Sequence, residues 1–270
     1  MDMMNTSWNP DLYLKFKKER TQPAIDLVNR IEIDNPGRIV DIGCGPGNST
    51  DVLRSKWSNA KIVGIDSSPQ MIKKAKKNYP DGHWQVCDAR EMKNYGEFDL
   101  VFSNAALQWI PDHEKLIPHL LALAAPTGVL AVQLPQNQFS TLHKSLYRIA
   151  DLDEFRHYTQ ASKTILNYQT SEYYYNLISG LVKKLYMWET TYLHILESHA
   201  DLVNWYKSTG MRPFLENLPN EELKNRMLEK LLAECKEKYK LQEDGSVIFP
   251  FKRIFFIGYK NDMFPSHRLC

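Results

Sequence analysis

The chain has 270 residues, 43% of them hydrophobic and 24% charged, with 34 Lys and Arg against 32 Asp and Glu. That length suits one sizeable core with an added cap, and the composition argues against disorder. A net charge of +2 gives no support to a nucleic-acid partner, which a clear basic excess would signal. Cys44, Cys87, Cys235 and Cys270 form no CxxC pair, so neither a zinc knuckle nor a thioredoxin-like motif is present and no metal is expected. Free thiols fit a reducing compartment. Residues 1–10 lack a signal pattern. The apolar stretch 116–132 is broken by Pro118, His119, Pro126 and Gly128, so no membrane span is expected. The expectation is a cytoplasmic protein.

In chain order, 38–42 reads as a first strand running into glycines, followed by a helix at 48–56. A second strand, 60–65, stops at Asp66, and 69–78 has Met71, Ile72 and Ala75 at helical spacing. Residues 84–86 form a brief third strand before Asp88, 98–103 a fourth and 128–134 a fifth, with a helix at 112–124 between the last two. This alternation predicts a parallel sheet covered by helices on both faces, with ligands at the carboxyl ends of its strands. The second half differs. Residues 137–180 are polar, tyrosine-rich and helical in pattern. A strand is expected at 184–194 with Leu185, Met187, Thr191 and Leu193 on one side. Helices follow at 200–207 and 220–240, and a long strand at 247–259. Leu223, Met227, Leu228, Leu231 and Leu232 form the stripe of the 220–240 helix.

The sharpest element is the run from Ile39 to Thr50, IVDIGCGPGNST. Its glycines, Gly43, Gly45 and Gly47, permit a tight turn and close backbone approach to a ligand. Asp41 sits inside the strand end. Asn48 stands where a dinucleotide fingerprint has its third glycine. Asp66, nineteen residues after Gly47, can accept from both hydroxyls of a ribose; it can also serve as a helix cap. Asp88 can accept from an adenine amino group, with the Ala89 N–H facing a ring nitrogen, or can cap its own loop.

The DIGCGPG loop, Asp66, Asp88 and the FDLVFSN segment ending at Asn104 resemble class I S-adenosylmethionine-dependent methyltransferases. The segments NAALQWIPDH, from Asn104 to His113, and GIDSS followed by Met71 and Ile72 resemble the trans-aconitate 2-methyltransferase family. Flanking pieces agree, among them Tyr13, Arg20, Gly210, Arg212-Pro213 and the FPFKR run ending at Arg253. The similarity is dense over 36–135 and touches nearly the whole chain. It implies a Rossmann-like α/β fold: a mostly parallel seven-stranded sheet with helices on both faces and helical cap insertions around the last two strands. Residues 1–35 are then an N-terminal helical cover of the cofactor, 36–135 the cofactor-binding core, and 136–270 the cap with the last two strands. The cofactor implied is S-adenosylmethionine. Asp41, Gly43, Gly45 and Gly47 lie near its methionine part, Asp66 at the ribose, and Asp88 and Ala89 at the adenine, with Ser67 and Met71 also binding the cofactor. Asn104 and Ala105 lie beside the sulfonium, and Tyr13 and Arg20 close over the cofactor.

The family also implies a small anionic organic acid as acceptor, such as trans-aconitate, methylated on a carboxylate. Such a group is ionised at neutral pH and needs no general base. It does need cationic partners. The candidates are Arg212, Lys252 and Arg253, with Arg156 and Lys163 behind them. Trp109 lines the acceptor pocket or packs between helix and sheet. Asn104 and Trp109 position the reactants, and no residue stands out as a catalytic base. His113 fits a polar place early in its helix, and Tyr173–Tyr175 fit the core of the cap. Three alternatives stay open: methyl transfer to a phenolic, amine or other acceptor, a dinucleotide-dependent oxidoreductase, and a cofactor-binding protein without turnover.

Overall fold

The structure, a computed structural model, describes residues 17–92 and 95–261. The chain divides into two compact units. Among the described residues a core unit comprises 20–92, 95–135, 169–189 and 254–261, and a cap unit comprises 17–19, 136–168 and 190–253.

The strands of the core are β1 (Arg38–Ile42), β2 (Lys61–Asp66), β3 (His83–Val86), β4 (Phe98–Asn104) and β5 (Ala124–Pro135). β6 (Val182–Leu196) and β7 (Val247–Lys260) contribute residues to both units. The sheet order is β3-β2-β1-β4-β5-β7-β6. β2 and β4 both pair with β1 in parallel, so the strand order reverses at β1, and the ends of β1 and β4 bound the switch-point crevice. Ile39, Val40, Ile42, Leu100, Val101 and Phe102 are buried, as expected for central strands covered on both faces.

The helices of the core are α1 (Lys17–Asn29), α2 (Asn48–Lys56), α3 (Pro69–Asn78), α4 (His113–Ala122) and, further along the chain, α7 (Ser171–Ile178). α3 starts where the sequence says it should. The Ser68 side chain accepts from the Met71 N–H, Pro69 opens the first turn, and Ile72 and Ala75 are buried. α4 stops two residues earlier than expected, and β5 starts four residues earlier. Thr127, at φ 66°, turns within that early stretch, and the Lys260 ammonium donates to the Ala124 carbonyl at 2.5 Å.

The cap unit contains α5 (Thr141–Ala150), α6 (Asp153–Thr159), α8 (His199–Lys207), α9 (Arg212–Asn217) and α10 (Glu221–Lys238). The expected stripe of α10 is in place. Met227, Leu228 and Leu231 are buried, and Leu223 and Leu232 pack beside them, against a cluster that holds Trp205, Tyr206, Phe214, Phe249 and Phe251.

Two expectations fail in detail. Leu193 does not face inward: it is 62% exposed, while His194 and Leu196 are buried. Alternation along β6 slips by one residue between Met187 and Tyr192, at the boundary between the units, and a one-residue slip sends every later side chain to the other face. Of the three tyrosines in α7, Tyr174 is fully buried and Tyr175 is exposed, and all three belong to the core unit. His113 opens α4, in keeping with its expected early place in that helix. It is buried, with Nδ1 2.8 Å from the Tyr174 hydroxyl and Nε2 2.9 Å from the Leu107 carbonyl. Burial lowers its pKa.

Candidate active site

Asp41 sits at the end of β1 with no exposure to solvent. Its Oδ2 accepts from the Ser49 hydroxyl at 2.7 Å and the Thr50 hydroxyl at 2.6 Å, both in the first turn of α2. Its Oδ1 is buried without a hydrogen-bond partner. Burial pushes the carboxyl up to about 7; the two hydroxyls pull it down and the Asp66 charge pushes it further up. Ser49 and Thr50 went unnoticed in the sequence as partners of this acid. The signal was present in two hydroxyl residues directly after the glycine loop.

The loop after β1 passes close to the loop after β4. A Cβ on Gly43, at φ 69°, would lie 2.2 Å from the Ala106 Cβ. Gly45 is the opposite case: at φ 54°, a Cβ there would meet nothing within 4 Å. A left-handed backbone beside open space is the setting for a ligand's close approach. Gly47 is the N-cap residue of α2. Cys44 is buried, and burial raises its thiol pKa strongly.

Asp66 ends β2. Its Oδ2 accepts from the Gly45 N–H at 3.0 Å and its Oδ1 from the Ser68 N–H at 2.8 Å. The acid therefore ties the glycine loop to the start of α3, and each oxygen keeps a second lone pair for a diol. Ser67 and Met71 flank this turn. Asp88 ends β3 and caps the short helical turn Ala89–Glu91. Both its oxygens take the Arg90 guanidinium, the closest contact being 2.6 Å, and that pairing lowers its pKa. The loop-capping role is thus present, and Ala89 beside it is buried. Arg90 was not singled out in the sequence.

Asn104 ends β4 opposite Gln133, and its Oδ1 is buried without a partner. Ala105 follows in the left-handed region at φ 53°. Trp109 is 39% exposed. Arg20 lies in the first turn of α1, half-buried. Tyr13 lies outside the described residues.

The cap cations separate clearly. Arg212 is half-exposed and pairs with Glu216 one turn along α9, at 2.7 Å. Arg156 pairs with Asp153, and Lys163 with Asp151. Lys252 is partly buried. Arg253, its neighbour on β7, is 4% exposed. Its guanidinium lies 4.5 Å from the Phe251 ring centroid and 5.8 Å from that of Tyr192. Close by is His194, buried, with its ring 4.6 Å from Trp205 and 5.7 Å from Phe251. Burial, then the Arg253 charge, pushes the His194 pKa down to about 4.

Residues 16–179 match the Methyltransferase domain family. Over 257 residues the chain is 38% identical to the trans-aconitate 2-methyltransferase of Escherichia coli O157:H7 (strain EC4115), covering 95% of this chain and all of the relative. The chain belongs to the trans-aconitate 2-methyltransferase family. The K12 (DH10B) enzyme of that name is 38% identical, with 94% and 98% of the two chains covered. Solved structures agree on the fold. YcgJ from Bacillus subtilis superposes with a TM-score of 0.58 at 15% identity, over 89% of this chain and 99% of that one. Phosphoethanolamine N-methyltransferase 2 of Haemonchus contortus, in complex with S-adenosylhomocysteine, gives 0.55 at 19% identity, over 89% of this chain and 53% of that one.

This member of the trans-aconitate 2-methyltransferase family is an S-adenosylmethionine-dependent methyltransferase. When bound, that cofactor supplies an electrophilic methyl group on a cationic sulfur. The chain's residues fit such a group: the open left-handed turn at Gly45 admits a close-packed chain, and Asp41 Oδ1 and Asn104 Oδ1 are buried acceptors suited to cationic or donor groups. The cradle is sensitive to added volume. Gly43→Ala combines an overpacked contact with a strained left-handed alanine, together about 2–4 kcal/mol. A lower melting temperature and at least about tenfold weaker S-adenosylhomocysteine binding are expected, with one decade per 1.4 kcal/mol. Thermal melts and calorimetry of this variant check both.

Proposed function

We propose that this methyltransferase transfers the methyl group to a carboxylate of a small polycarboxylic acid, trans-aconitate or a close relation, and releases a methyl ester. In this reading the core unit holds the cofactor through Asp41, Gly43, Gly45, Gly47, Asp66, Ser67, Met71, Asp88, Ala89, Asn104 and Ala105. Arg253, Arg212 and Lys252 are the candidate cations for the acceptor, and Trp109 and Asn104 the candidate positioning residues.

The observation that carries the reading is Arg253. A guanidinium in a nearly dry, aromatic setting is a strong binding element for a carboxylate, because its fork matches the two oxygens and little water competes. Arg212 and Lys252 rank behind it, Arg212 because its charge is shared with Glu216 at the surface. The imidazoles of the cap support an acceptor that arrives ionised. His143 and His194 are both pushed down to about 4, chiefly by burial, so neither is tuned to take a proton near neutral pH. The likeness to relatives named for trans-aconitate also runs through the cap, since it covers 95% of the chain. Among the described residues no helix is long and apolar enough to cross a membrane.

A methyl-transfer assay with trans-aconitate, other di- and tricarboxylates, monocarboxylates, phenols and amines tests the proposal. Polyacids are expected to react at least about 100-fold more efficiently than neutral acceptors, the discrimination a buried ion pair supplies. Transfer confined to uncharged acceptors would refute it.

A further inference from the structure

The segment after β4 is held in an unusual way. Ala105 adopts a left-handed backbone at φ 53°, a conformation that costs energy for any residue with a Cβ. Both of its backbone polar groups are occupied. Its N–H donates to the Gln133 carbonyl of β5 at 2.9 Å, and its carbonyl accepts from Gln108 Nε2 at 2.7 Å. Next to it, Ala106 fills the space that a side chain on Gly43 would need. Gln108 is 5% exposed, and its Oε1 is buried without a partner. Asn104 Oδ1, at the other end of the turn, is likewise buried and unpartnered. A buried primary amide with one half unsatisfied is costly where an apolar side chain of similar size would fit. Strain and an unpaired polar group kept together point to a role in the site rather than in the fold.

We propose that Gln108 is a positioning residue for methyl transfer: its amide N–H locks the left-handed turn at Ala105, and so fixes Asn104 and the loop against Gly43 in the geometry the reaction uses. Gln108 does not touch the reacting atoms in this account; it acts through Ala105. The inference does not depend on which acceptor the enzyme takes.

The test uses the full chain and whichever acceptor the wild type methylates fastest. Gln108→Met keeps the volume and removes the donor. Its single-turnover rate is expected to fall about 10–100-fold, the loss typical of a displaced reacting geometry. Acceptor KM should stay within about twofold, and the melting temperature should change little. Adding Ala105→Gly, which adopts the left-handed turn without strain, should restore part of the rate. A side chain that only fills space would give no such rescue. Gln108→Glu provides a second readout. Protonated, it can donate to the Ala105 carbonyl; ionised, it cannot, so its rate should fall as pH rises while the wild-type rate does not. Wild-type rates in Gln108→Met would overturn the proposal. So would an equal loss in the single and double variants, or a Gln108→Glu pH profile parallel to wild type. If Gln108→Met fails to fold, the Gln108→Glu profile decides.

Discussion

Replacing Arg253 by glutamine is expected to raise the acceptor KM by about 100-fold while S-adenosylhomocysteine affinity stays within about threefold. Removing one partner of a desolvated charged pair costs about 2–5 kcal/mol, and each 1.4 kcal/mol is a decade in affinity. Arg253 is 4% exposed, so the penalty is little screened. Arg253→Lys keeps the charge and loses the fork, and should fall between wild type and the glutamine variant. Arg212→Gln serves as the internal contrast. Its ion pair with Glu216 is a half-exposed pair within one helix, worth about 0.3–0.5 kcal/mol, so acceptor KM should move less than about threefold. Steady-state kinetics on the three variants, with calorimetry for the cofactor product, separates the roles. Equal effects at Arg212 and Arg253, or a loss of cofactor affinity in place of acceptor affinity, would remove Arg253 from the acceptor site.

A second large effect is expected from pH. Burial raises the Asp41 carboxyl from 3.8 to about 7. Between those values the folded protein without ligand holds a proton that the unfolded chain has released. The Asp41 contribution to stability must then fall as pH rises, by about 1.4 kcal/mol per pH unit and about 4 kcal/mol in all, and level off above pH 7; His143 and His194, held below their ordinary pKa, contribute in the opposite sense, so the Asp41 part is read as the difference between wild type and Asp41→Asn. For a chain of this size that is roughly 8–16 °C in melting temperature. Binding runs the other way. In the proposed site the ammonium of the cofactor's methionine part, which S-adenosylhomocysteine shares, lies near Asp41 and favours the carboxylate, so affinity should rise with pH up to about 7 and then flatten. Thermal melts from pH 4.5 to 8, with and without S-adenosylhomocysteine, on wild type and Asp41→Asn, measure both trends. The asparagine variant does not titrate at position 41 but keeps the buried histidines, so the difference between the two proteins isolates the Asp41 contribution. Parallel curves for the two proteins would show that Asp41 is ionised throughout.

The core was legible because its signals are local. Short β-branched runs ending at glycine or aspartate mark β1 and β2, and the Ser68-Pro69 cap marks α3. The loop acids were also legible as residues, though not their partners. Nothing in the sequence joins Asp41 to Ser49 and Thr50, Asp88 to Arg90, or Gln108 to Ala105, since those bonds depend on how each loop closes. The cap was harder. Its cations look alike in sequence, and only burial separates Arg253 from Arg212. The face change in β6 was hidden for a related reason: a two-residue alternation carries no mark of where the strand leaves one hydrophobic cluster for another. The place of His113 at the start of its helix was legible, but its burial was not, because its partners Tyr174 and Leu107 come from outside that helix.

The proposed reaction places the methyl group on a carboxylate oxygen. The most direct measurement is the structure of the product formed from methyl-labelled S-adenosylmethionine and trans-aconitate. Incubation with the wild-type enzyme, followed by carbon NMR and mild alkaline hydrolysis, is expected to show one labelled methyl per acceptor. Its chemical shift should be that of an ester, and base should release it as methanol. A label that survives base, or no transfer to trans-aconitate or any other carboxylate while a phenol or amine is methylated, would contradict the account.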